Sequence, residues 1–137
     1  MIETILRRRQ ALGLAALAGS FWFIGGPALA QSRPFSIFFD YERTEVTPAA
    51  KEIVAAVKDL IKSNTRIMIV GHCDTAEAGP AKLSLARALE VEKALIELGL
   101  PAGTQLTIVG RGATELRKQT GPNVREPINR YVAITIN

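Results

Sequence analysis

The sequence predicts an α/β (α+β) two-layer sandwich in which both main helices lie on one face of a mixed four-stranded sheet. Three observations lead there. Short runs rich in β-branched and aromatic residues alternate with two longer runs whose apolar residues recur at helical spacing. Each helical run opens on a proline, Pro48 or Pro80, at a first-turn position where the missing N–H costs nothing. The order is then β-α-β-α-β, a loop or short helix, and a last β, which one sheet with helices on a single side accommodates.

Phe35-Ser36-Ile37-Phe38-Phe39 reads as the first strand and stops at Asp40. Thr47 before Pro48 supplies an N-cap, and Ile53, Val54, Val57, Leu60 and Ile61 carry the first helix to about Ser63. Arg66 to Val70 is a short apolar run suited to a strand covered on both faces, closed by Gly71. A loop from His72 to Gly79 leads to Pro80. Ala88, Val91, Leu95 and Leu98 then mark one face of a second helix that ends at Gly99. Leu106 to Val109 is the third strand, and Tyr131 to Ile136 alternates as a half-buried fourth. The intervening segment 113–129 is long for a plain loop, so it is expected to be a short helix or a functional segment.

Residues 1–30 have the three parts of a secretory signal: Arg7, Arg8 and Arg9, an apolar run from Ala11 to Ile24, and the end Ala28-Leu29-Ala30. Arg8-Arg9 also resembles a twin-arginine signal, although three arginines are common without it. An uncleaved anchor is the alternative, but 14 apolar residues fall short of the ~20 that span a bilayer. The expectation is a cleaved signal and a periplasmic domain, residues 31–137, in a diderm bacterium, with association at the outer membrane or cell wall. Cleavage after Ala30 leaves 14 basic and 12 acidic residues, a net charge of +2 in place of +4. No basic block remains to suggest nucleic acid. Cys73 is the only cysteine, which excludes an intrachain disulfide, and it lies outside the signal, where it cannot carry a lipoprotein's lipid.

Several short motifs stand in a telling order: Phe39-Asp40-Tyr41, Thr47-Pro48, Gly71-His72-Cys73-Asp74, Leu83-Ser84-Leu85-Ala86-Arg87-Ala88, Gly110-Arg111-Gly112 and Asn129-Arg130-Tyr131-Val132. Together they resemble the OmpA-like family, the peptidoglycan-associated domains, over nearly the whole of residues 31–137. The resemblance implies non-covalent binding of peptidoglycan through the diaminopimelate of its stem peptide, with Asp74 and Arg87 as the ligands. It also implies a surrounding set of Asp40, Tyr41, Thr75, Leu83 and Arg130. Other cell-envelope proteins are the alternative partners, for a module that keeps the fold with weak or no wall binding.

The chemistry suits that ligand independently. Diaminopimelate offers a free amino-acid end with an ammonium and a carboxylate, so its site needs an anionic acceptor opposite a planar cationic donor. Arginine meets a carboxylate with two parallel bonds, which lysine cannot. Asp74 follows the second strand and Arg87 lies two turns into the second helix, ~10 Å along its axis from Pro80. Compared with the family pattern, cysteine replaces threonine after His72, Pro80 stands where an asparagine often does, and Tyr131 replaces a second arginine. The stretch from Asp74 to Arg87 is also two residues shorter. Asp40 and Tyr41 either border the same pocket, with the Tyr41 ring over the ligand's apolar chain, or are a turn-capping Asp and a core Tyr; Arg130 either supplies a second cation or flanks the last strand.

His72, Asp74 and Glu77 form an H-x-D-x-x-E string, but the chain's single histidine argues against a metal, and no cofactor is expected. His72 is expected to hold the loop through its ring nitrogens. Cys73 and His72 are neighbours on extended chain and point apart, so no nucleophile–base pair arises and no enzyme is expected. For Arg87 the ordinary alternative is an ion pair with Glu90 one turn on.

Overall fold

The computed structural model describes residues 34–137; the expected signal, residues 1–30, lies outside them. The strands are β1 (Pro34–Phe38), β2 (Arg66–Gly71), β3 (Gln105–Gly110) and β4 (Tyr131–Ile136), and the helices are α1 (Pro48–Asp59) and α2 (Pro80–Glu97). A 3-10 turn, Pro127–Asn129, precedes β4. The sheet order is β1-β4-β2-β3, with β4 antiparallel to both neighbours and β2 parallel to β3. This is the mixed sheet and α+β arrangement expected.

Local chemistry sets the helix ends. The Thr47 hydroxyl accepts from the Ala50 N–H at 3.2 Å, satisfying one of the free donors of the first turn. α1 stops four residues before the expected Ser63. Its end tightens into i→i+3 bonds, Leu60 N–H to Val57 O and Ile61 N–H to Lys58 O, and Asn64 then turns left-handed at φ 62°. α2 ends as expected, with Gly99 at φ 84° just past its last turn.

Side chains of alternating positions form one apolar layer between sheet and helices. Phe35, Ile134, Ile69 and Ile108 sit in register across all four strands. Val54, Val57, Ala88, Val91 and Leu95 cover the same cluster from the helices. Each fully buried Ile, Val or Leu here contributes about 1.5–3 kcal/mol. Ser36, Phe38, Met68 and Thr107 take the opposite sheet face, where Phe38 and Met68 stay exposed.

The neighbouring row across the sheet reads Ile37, Val132, Gly71, Gly110. The two glycines are where α2 comes closest. A Cβ on Gly71 would collide with the Ser84 carbonyl, and one on Gly110 would lie 2.7 Å from the Leu85 nitrogen. Their bareness lets the first turns of α2 rest on the sheet, which carries Arg87 over the end of β2.

Candidate ligand-binding site

Beyond Gly71 the chain stays pinned between two neighbours. His72 N–H donates to Tyr131 O and Cys73 N–H to Gly112 O, both at 2.8 Å. Asp74 therefore arrives at a fixed place, fully buried. Its Oδ1 accepts from the N–H groups of Ala76 and Glu77, and its Oδ2 from Glu126 N–H and Arg130 Nη1, all at 3.0 Å. The carboxylate thus stabilises its own turn, the 113–129 segment and an ion pair at once.

Arg87 is likewise fully buried, under the Phe39 ring, whose centroid is 5.3 Å from the guanidinium carbon. Each of its five donors meets an oxygen. Nε donates to Arg43 O at 2.8 Å, Nη1 to His72 O at 3.1 Å and Nη2 to Asp40 O at 3.1 Å. The other two meet the Glu77 carboxylate, Nη1 to Oε1 at 2.9 Å and Nη2 to Oε2. Arg87 is therefore not paired with Glu90: a buried guanidinium binds the carboxylate that shares its low-dielectric surroundings, and that is Glu77.

Glu77 was the residue that sequence reasoning missed, having entered only as a metal ligand to be dismissed. Its Oε1 also accepts from Asp74 N–H at 3.0 Å and its Oε2 from Glu42 N–H at 2.7 Å. Asp74 and Arg87 thus lie close but do not face one another across an open gap; Glu77 bridges them. Glu42 gives no sequence signal either, since a glutamate at φ 54° is unexpected. That turn aims the carbonyls of Asp40 and Arg43 at Arg87.

The other expected residues are placed as follows. Asp40 keeps its side chain exposed, on a recess of about 400 Å³ that Phe38, Thr47, Ile128 and Arg130 also line. Tyr41 donates to Ala76 O at 3.0 Å, and the Arg125 guanidinium lies 3.7 Å from its ring centroid, with Arg130 at 6.0 Å. The exposed face of this aromatic is thus taken up by arginine. Thr75 donates to Gly121 O and accepts from Val124 N–H, tying down the 113–129 segment. Leu83 stands apart, on a separate depression with Ala78, Lys82 and Ala86. The segment itself is a series of turns closed by the 3-10 turn. Buried Asn129 accepts from the N–H groups of Arg117 and Lys118 and donates to Lys118 O.

His72 does not hold the loop as expected. Its ring stacks on Tyr131 at 4.2 Å and 15°, and its buried Nδ1 has no hydrogen-bond partner. Burial keeps the imidazole below its usual pKa, helped by Arg111 and Arg117 and opposed by Glu115. Burial also pushes the Cys73 thiol up to about 12, leaving it a packed thiol. Among the described residues no group of three or more His, Cys, Asp and Glu side chains could hold a metal. No helix among them is long and apolar enough to cross a membrane.

This arrangement can be set beside known proteins. The model of the OmpA family matches residues 38–130. The chain belongs to the OmpA family. An outer membrane protein of Gluconacetobacter diazotrophicus is 37% identical over 116 residues, covering 77% of this chain; the chain spans 30% of that protein's length. Among solved OmpA-like structures, the peptidoglycan-associated lipoprotein of Burkholderia pseudomallei superposes with a TM-score of 0.66 at 22% identity, over 74% of this chain and 89% of that one. The periplasmic domain of Helicobacter pylori MotB gives 0.61 at 18% identity, over 80% and 75%. At such identities the likeness shows a shared fold. By their names all three are cell-envelope proteins.

Proposed function

We propose that residues 31–137 bind peptidoglycan non-covalently in the periplasm, through the diaminopimelate of the stem peptide, and so hold the protein at the cell wall. One observation carries this reading: Asp40, Asp74, Arg87 and Arg130, remote in sequence, join one bonded network at the end of β2 beside an open recess. A buried cation, Arg87, and a partly buried one, Arg130, alternate there with two buried carboxylates, the charge pattern a zwitterion needs. Family membership and the envelope setting of the relatives support the same reading.

Co-sedimentation with purified sacculi tests it. The protein should pellet with diaminopimelate-type sacculi and about tenfold less with lysine-type sacculi, which lack the second carboxylate. Asp74→Asn and Arg87→Lys, checked for folding by circular dichroism, should each weaken pelleting. Equal pelleting by both variants would remove these residues from the site, and wild type left in the supernatant would remove the function. One feature favours a second reading, an envelope protein-interaction module: the arginine fork is already filled by Glu77.

A further inference from the structure

Glu77 does to Arg87 what a bound carboxylate would do. Its two oxygens meet Nη1 and Nη2 side by side, the two-bond geometry by which arginine recognises carboxylates. The N–H groups of Asp74 and Glu42 complete the shell. This is an anion site that the same chain both builds and fills.

The segment that fills it is short and partly exposed. Between Asp74 and Pro80 the only charged side chain is that of Glu77; Ala78 and Gly79 are exposed, and Thr75 and Ala76 are half-buried. Gly79, the N-cap of α2, sits at φ 55° with open space where a Cβ would stand. Asp74 Oδ1 accepts from the N–H groups of Ala76 and Glu77, and two bonds at partly or fully exposed positions also clasp the segment, Tyr41 Oη to Ala76 O and Ala78 N–H to the Glu42 carboxylate.

We propose that Glu77 is a built-in competitor for the ligand's carboxylate: the wall peptide binds Arg87 only as the Glu77 carboxylate leaves. This rests on the wall-binding reading above and names what sets its strength. Exchanging one carboxylate for another never strands the buried Arg87 charge, which makes the swap feasible where simple opening is costly. Apparent affinity is then the intrinsic affinity multiplied by the fraction of molecules in which Glu77 has left the fork.

The test compares wild type, Glu77→Gln and Glu77→Ala, using acetate and meso-diaminopimelate as soluble probes and diaminopimelate-type sacculi as the wall. Glu77→Ala should melt lower than wild type in carboxylate-free buffer, and acetate or diaminopimelate should raise its Tm while leaving wild type unmoved. Glu77→Gln keeps the side-chain shape, so it folds even where alanine does not, and it should bind sacculi about tenfold more tightly than wild type. Absence of carboxylate rescue together with unchanged sacculus binding by Glu77→Gln would overturn the competitor, while pelleting of wild type would still uphold wall binding. Pelleting by Glu77→Gln but not by wild type would uphold the competitor and overturn wall binding by the native chain.

Discussion

The interior holds two unlike regions of comparable burial. Between sheet and helices lies an apolar layer in which Ile69, Val91, Leu95 and Ile134 are fully buried and interchangeable in kind. At the end of β2 lies a charged knot of Asp74, Glu77, Arg87 and Arg130, whose buried members satisfy one another. The apolar layer is stabilised by area removed from water, a sum of many small contributions that tolerates exchange of similar side chains. The knot has no such tolerance. Each charge there is kept stable by a named partner, so a single truncation leaves the rest buried and unpaired. The apolar layer therefore makes the domain stable, while the knot makes one conformation of the 74–79 turn far better than any other.

The sharpest way to break the comparison is to cut the knot. Arg87→Ala should lower unfolding free energy by about 3–5 kcal/mol in urea, because Glu77 stays buried without its cation. Replacing both partners, Glu77→Leu with Arg87→Met, should restore most of that loss; if it does not, the pair contributes more than mutual neutralisation. Cutting the apolar layer at Leu95→Ala should cost about 3 kcal/mol, with no second substitution that repairs it in the same way.

The smallest expected effect concerns His72, at the border of the two regions. Its folded-state pKa lies below the ordinary 6.5, so the unfolded chain binds the proton more readily. Stability should therefore be full above that value and fall as pH drops from about 7 through the acidic side of 6.5, by less than about 1 kcal/mol per pH unit. His72→Gln should flatten this part of the urea-midpoint profile, leaving the steeper carboxylate-driven loss at lower pH.

Much of the fold was legible residue by residue. Thr47-Pro48 marked the start of α1 because a hydroxyl cap and a proline at the first helical position act locally. Gly99 marked the end of α2 for the same reason. The end of α1 was misread because Leu60 and Ile61 continue the helical spacing, while the competing i→i+3 turn depends on the descent toward β2. The 113–129 segment was read only as a short helix or functional segment, and it holds a 3-10 turn at its end. Its conformation is set by Thr75, Asp74 and Asn129, partners that only the closed fold brings near.

The same division runs through the site. By itself the sequence determined the strand and helix order and the family to which the motifs belong, and it singled out Asp74 and Arg87 as candidates. All of these rest on local backbone preferences or on residue identity at fixed spacing. Only the tertiary structure decided who faces whom. A five-residue turn can deliver a carboxylate to many places, and Glu77 meets Arg87 because the Asp40–Arg43 turn, the end of β2 and the start of α2 converge on one low-dielectric point. Buried charge must find a partner there, and spacing along a chain carries no record of which partner is nearest.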